Sequence, residues 1–210
     1  MQDEISTNSI IDIENEKTFS DIVGHRRKFG STQNSFQDIF GDLSDYIFSE
    51  ELNLSSMKLN SLKGVPKSVR GFFQLDNDEF IESLEFLPKN ISGFISVESS
   101  ENLKSLRGIE NLNKNNPDPF NLYFSKNPKL TDISSLDPKT VLKAEKFAIS
   151  ATRVSAGDIV KVSFLKRRHS GSFHFLTSNF KEDTLEKLYK VLEKLSFDLE
   201  KFEKVLLLMR

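Results

Sequence analysis

Residues 122–136 read Leu-Tyr-Phe-Ser-Lys-Asn-Pro-Lys-Leu-Thr-Asp-Ile-Ser-Ser-Leu. Leu122 and Phe124 are two apart, so in an extended chain their side chains share one face. Leu130, Ile133 and Leu136 follow at intervals of three, after the turn signal Asn127-Pro128. The same phrase is legible upstream as Ile95, Val97, Leu103, Leu106 and Ile109, and before that as Phe73, Leu75, Ile81, Leu84 and Leu87. A segment that recurs in this way cannot bury its apolar edge alone. It must stack on copies of itself.

Working outward, strands are expected to start at Leu52, Phe73, Ile95, Leu122, Phe147 and Phe173. Each has a second inward residue two positions on, namely Leu54, Leu75, Val97, Phe124, Ile149 and Phe175. The intervals are 21, 22, 27, 25 and 26 residues, and the polar stretch Asn113–Pro119 accounts for the longest. The spacing resembles that of leucine-rich repeats and predicts an α/β solenoid with a parallel β-sheet on its concave face. In the last two coils Val154, Ile159 and Val162 fill the pattern only approximately, and Ile159–Leu176 also reads as a β-hairpin around Lys166–Gly171.

The flanks read differently. Residues 1–34 are expected to be a flexible segment, since its first half is polar and acidic with isolated Ile10, Ile11 and Ile13. Ser35 resembles a helix N-cap ahead of Phe36, Ile39, Phe40, Leu43, Tyr46 and Ile47, which share a helical face. A helix over 36–48 is therefore predicted, forming an N-terminal cap over 35–50. The solenoid would occupy 51–179. In 180–210, Leu185, Leu188, Leu192, Leu195, Leu199, Phe202, Leu206 and Met209 alternate three and four apart. That seam predicts a long helix or a helical hairpin. It would either cap the solenoid or make a homo-oligomer by coiled-coil pairing through Leu185–Met209.

At Ser61–Phe73 the text is Ser-Leu-Lys-Gly-Val-Pro-Lys-Ser-Val-Arg-Gly-Phe-Phe, and Ser83–Phe94 repeats it as Ser-Leu-Glu-Phe-Leu-Pro-Lys-Asn-Ile-Ser-Gly-Phe. This resembles the short leucine-rich repeats of bacteriophage and bacterial proteins, including those of secreted effectors. The resemblance covers about Leu52–Leu136, and the later coils depart from the phrase. It implies a binding protein that acts on a host factor, in the host cytoplasm if phage-encoded. Effectors of this kind often carry a ubiquitin-ligase domain with a catalytic Cys. The chain has no Cys, so that activity is not carried over.

Zero Cys also excludes disulfides, thiolate zinc sites and a cysteine nucleophile. The formal charge of -2 gives no global field toward nucleic acid. No apolar run is long enough to cross a membrane and the acidic start does not read as a signal peptide, so a cytoplasmic protein is expected. Asp76-Asn77-Asp78-Glu79 lacks the Gly and Glu that a calcium loop places sixth and twelfth; Ile81 and Leu87 stand there. His25, His169 and His174 are scattered, and no acid–base set can be assigned. The expectation is a protein that is not an enzyme and needs no cofactor or metal.

Its chemistry would lie on the outward positions of the strands. Phe72, Phe94 and Tyr123 are large aromatics among polar neighbours, and Gln74, Asp76, Ser96, Glu98, Lys146 and His174 complete a candidate surface for a protein partner. Lys166, Arg167, Arg168 and His169 form the densest basic cluster. They read as a solvated turn or, alternatively, as an anionic-ligand contact that would make the chain a nucleic-acid or phosphate binder.

Overall fold

The computed structural model describes residues 34–113, 120–136, 144–150, 152–162, 184, 186–202 and 204–208 in full, and 16–17, 163–167, 172–176, 182–183, 185 and 203 by their backbone. Six parallel strands form one sheet: Leu52–Asn53, Phe73–Gln74, Phe94–Glu98, Phe120–Ser125, Ala144–Ser150 and Ser172–Leu176, adjacent in chain order. The register pairs Leu52 with Phe73, Phe73 with Ile95, Ile95 with Leu122, Leu122 with Phe147 and Phe147 with Phe173. These are the six positions at which the strands were expected to start. The protein is a repeat solenoid with strands stacked in parallel.

The inward residues make one continuous core. Leu52, Leu54, Phe73, Leu75, Ile95, Val97, Leu122, Phe124, Phe147 and Ile149 are all fully buried, with Leu84, Leu103, Leu106 and Leu130 from the return side. Burying each such side chain contributes roughly 1.5–3 kcal/mol, set against the entropy of ordering a turn-rich chain.

The first four coils end their main-sheet strands in the same turn. Ser56, Asn77, Ser99 and Lys126 all have left-handed φ, between 53° and 60°. Each donates its N–H to the next coil, to Asp76 O, Glu98 O, Ser125 O and Ser150 O at 2.8–3.0 Å. One residue further on, polar side chains replace the ladder inside the stack. Asn127 Nδ2 donates to Val97 O (2.8 Å) while its Oδ1 accepts from Ser100 N–H (2.9 Å). At the equivalent place Asp78 accepts from Leu59, Phe80 and Ile81 N–H (2.9, 2.9 and 3.1 Å). Asp78 and Asn127 have no exposed surface, so these bonds satisfy groups that water cannot reach.

A second parallel sheet precedes the first. It runs Glu16–Lys17, Ile47–Phe48, Ser68–Val69 and Asn90–Ile91. The N-terminal segment expected to be flexible thus contributes one strand. The corner between the two sheets is built on glycine. A Cβ on Gly71 would lie 2.8 Å from Glu51 N, and one on Gly93 would lie 3.1 Å from Gly71 O. Adjacent coils approach too closely there for a side chain. This explains the Gly that closes both copies of the repeated phrase. Among the described residues, Asn90–Ile91 is the last strand of the second sheet. There the Asn113 side chain accepts from Ile91 N–H and donates to Ile91 O, both at 2.8 Å, as a further strand would.

The predicted helix over 36–48 is shorter. Helix α1 spans Phe36–Phe40, with the Ser35–Asp38 capping box in place, and ends at Gly41 (φ 85°). Leu43 N–H then bonds Gly64 O at 2.8 Å, and Ile47 and Phe48 join the second sheet. Tertiary pairing overrides the helical spacing of Leu43, Tyr46 and Ile47.

The hairpin reading of Ile159–Leu176 is also corrected. Helix α2, Ala156–Arg167, returns the fifth coil, and Ser172–Leu176 joins the main sheet in parallel. Ser155 Oγ caps α2 by accepting Asp158 N–H (3.1 Å). Val154, Ile159 and Val162 enter the main core, while Val160 faces the other way. There it meets Leu188 and Leu192 of α3 (Glu182–Lys194) and Phe202 of α4 (Leu199–Leu208). The C-terminal seam is therefore a hairpin and not one continuous helix. Ser196 and Phe197 are left-handed, and Phe197 N–H reaches back to Leu192 O (3.0 Å), which ends α3. Asp198 Oδ1 accepts Lys201 N–H (3.0 Å) and starts α4.

Candidate interaction surface

The outward face of the six-stranded sheet is set by register. Phe94, Asn121, Lys146 and Ser172 stand side by side on successive strands, and so do Gln74, Ser96, Tyr123, Ala148 and His174. The three aromatics expected to form a patch meet. The Phe72 and Phe94 rings stack with centroids 4.8 Å apart and an interplanar angle of 6°. Tyr123 meets Phe94 edge-on, at 6.0 Å and 71°. All three are half-buried, lie outside the hydrophobic core cluster and present one continuous aromatic strip across three coils.

The polar residues divide into two groups. Asn53 Nδ2 donates to Gln74 Oε1 (3.4 Å), and Gln74 Nε2 donates to Asp76 Oδ2. Asp76 Oδ1 accepts from Ser96 Oγ (3.1 Å) and Glu98 N–H (2.9 Å). Gln74, Asp76 and Ser96 are therefore bonded to one another along the stack, and Asp76 has little capacity left for a ligand. The Glu98 carboxylate and the Lys146 ammonium differ. Among the described residues neither makes a hydrogen bond or an ion pair, and Lys146 is exposed. They supply one free charge of each sign beside the aromatic strip.

His174 is on the last strand, paired through its backbone with Ala148. Lys166 and Arg167 end α2, and Arg168 and His169 lie outside the described residues. Lys161, their neighbour on α2, is held by Asp158 at 2.9 Å. The Asp76–Glu79 run is occupied by internal bonds. Asp78 is buried, which pushes its carboxyl above the usual carboxylate range despite its three N–H donors. Among the described residues no group of acids and histidines is arranged to hold a metal, and no helix is long and apolar enough to cross a membrane.

Sequence reasoning missed the Asn113 closure and an open groove of about 400 Å³ on the return side, beside Phe80 and Phe86. Both left a signal. Val69, Ile91 and Asn113 are spaced 22 apart, and Phe86 stands where the repeated phrase has Gly64. Comparison with protein-family models, curated proteins and solved structures finds no match for this chain.

Proposed function

We propose that the chain is a leucine-rich-repeat solenoid of bacteriophage or effector type, closed by helices at both ends, that acts by binding a protein through the concave face of its main sheet. One observation carries the reading: Phe72, Phe94 and Tyr123 form a half-buried strip on the outward face, with Glu98 and Lys146 unpaired at its margins. Aromatic anchors with a charged rim are what interface hot spots are built from. The strands hold them rigid, so binding would cost little ordering entropy. Such a protein blocks or recruits a host factor by occluding its surface and needs no catalytic residue or cofactor.

The capping role of α3 and α4 is supported by the use of their seam within the chain. Leu188, Leu192 and Phe202 are buried against Val160 of α2. Self-association through Leu185–Met209 would need that contact undone.

The test is affinity purification with the wild-type chain and a Phe72→Ala/Phe94→Ala/Tyr123→Ala variant. The expected result is a specific protein retained by the first and lost by the second, with the thermal midpoint nearly unchanged. Retention of the same protein by both removes the assignment. Deleting residues 182–210 tests the cap; the midpoint should fall while the mass in solution stays that of one chain.

A further inference from the structure

The outward residues just ahead of each inward pair form one row, Glu51, Phe72, Phe94, Asn121 and Lys146, side by side on five successive coils. The row is aromatic in the middle and charged at its ends. Glu51 and Lys146 are exposed, and among the described residues neither the carboxylate nor the ammonium makes a hydrogen bond or an ion pair. Elsewhere on the solenoid, opposite charges on adjacent coils pair directly, as Lys58 with Glu79 (3.8 Å), Glu82 with Lys104 and Glu85 with Arg107 (both 2.6 Å). Glu51 and Lys146 cannot: four strand spacings of about 4.8 Å hold them about 19 Å apart. Glu98 lies four residues along its strand from Phe94, and Glu145 falls in the register shift beside Phe120, so neither belongs to the row.

The middle of the row is narrow. On one side Gln74 and Ser96 are engaged with Asp76, and on the other the chain turns the corner at Gly71 and Gly93. An α-helix, about 10 Å across, would rest mostly on those bonded polar groups. An extended chain needs a strip only one side chain wide, because alternate side chains share a face. Stacking takes one face of each of the Phe72 and Phe94 rings. That favours aliphatic side chains set against the ring edges over cations or planar groups that need an open face. Asn121 Oδ1 is taken by Lys146 N–H (3.0 Å), which leaves Nδ2 to donate to a backbone carbonyl of the bound segment.

We infer that this row seats an extended peptide segment of the protein partner, lying across the strands, with a basic side chain at Glu51, two aliphatic ones on Phe72 and Phe94 and an acidic one at Lys146. The inference rests on the reading that the outward face binds a protein, and specifies what that face holds. Six residues of extended chain span about 20 Å, so the basic and acidic side chains stand at the first and seventh positions and the aliphatic ones at the third and fifth. All four then point the same way. A segment of one charge throughout would meet like charge at one end of the row.

The test is fluorescence anisotropy with end-blocked peptides. The probe Lys-Thr-Leu-Thr-Leu-Thr-Glu is expected to bind the wild type and to lose at least about tenfold in affinity on Phe72→Ala/Phe94→Ala. The same peptide with Lys at both ends should bind the wild type about tenfold more weakly and recover on Lys146→Glu; with Glu at both ends it should recover on Glu51→Lys. Both substituted positions are exposed, so the fold is kept. No binding at millimolar peptide overturns the inference, as do equal binding of all three peptides, recoveries that do not occur, and tighter binding by a helical peptide with its charges about thirteen residues apart. Affinity purification separates this failure from that of the underlying reading. A protein retained by the wild type and lost by the Phe72→Ala/Phe94→Ala/Tyr123→Ala variant keeps the binding surface even where the extended segment falls; a protein retained by both removes the two together.

Discussion

The early coils and the late coils solve the same stacking problem with different backbones. Up to Ile91 the solenoid divides its hydrogen bonds between two longer sheets and a third of two strands, Asn34–Ser35 and Leu59–Ser61, and the main-sheet strands Leu52–Asn53 and Phe73–Gln74 are only two residues long. Beyond Asn113 there is one sheet among the described residues, and its strands Phe120–Ser125 and Ala144–Ser150 run to six and seven residues. The coil period lengthens at the same point, from 21 and 22 residues to 27 and 25. Short coils turn the corner between the sheets on Gly71 or Gly93. Long coils return through a 3₁₀ turn at Ile109–Asn111 or through α2. The lesson is that what persists along the stack is the inward pair of side chains; the ladder around it is redistributed.

The largest expected effect lies at the junction of the two regions. Gly108→Ala sets a Cβ against Leu84 O in a left-handed backbone. It should cost on the order of 4 kcal/mol in urea unfolding. A loss under about 1 kcal/mol would mean the coils there are not in contact. Next comes the closure itself. Asn113→Ala leaves the N–H and C=O of Ile91 buried without partners, at about 3 kcal/mol. Asn127→Ala makes the same loss at Ser100 and Val97, and the two should be similar. Hydrogen exchange should speed up at Ile91 in the first variant and at Ser100 in the second; the reverse assignment breaks the parallel.

A smaller effect separates the regions by pH. Asp78 in the early coils titrates above its ordinary value of 3.8 because burial disfavours its charge. Its folded form binds the proton more tightly than the unfolded chain does, so its contribution is full below 3.8 and is lost as pH rises through the raised value. Asp132 in the late coils is held below its ordinary value, chiefly by the Ser134 hydroxyl, and behaves oppositely: its contribution is lost as pH falls. Asp78→Asn puts an amide donor against Leu59 N–H and should cost about 1–2 kcal/mol near neutrality. The gap to wild type should widen as the solution is acidified, as followed by unfolding at several pH values. The smallest effect is expected at the exposed Lys104–Glu82 pair (2.6 Å), where Lys104→Ala should change stability by no more than about 0.5 kcal/mol.

The strand register was legible because it depends on a period of two that nothing in the fold disturbs: Leu122 and Phe124 must both face inward or the core is lost. The length of α1 was not, because Leu43 and Ile47 satisfy a helical stripe and a strand pair equally well, and the decision rests with Gly64 and Ser68, some twenty residues away. Helix α2 was obscured for a different reason. It buries Ile159 and Val162 on one side and Val160 on the other, so it shows no single apolar stripe. On the outward face, Phe72, Phe94 and Tyr123 stood out from polar neighbours, whereas the internal bonding of Asp76 depends on side chains of three different coils.

The Asn113 amide has a consequence beyond stability. A ribbon of parallel strands with an open margin is a template on which another molecule's backbone can accrete, and such growth leads to fibrils. Among the described residues one side chain covers that margin at Ile91, in the place of a further strand. Duplicating a coil upstream of Asn113 would widen both ribbons together; duplicating one downstream would widen only the other. Internal expansion of this protein over generations would thus leave a record of the side on which it occurred.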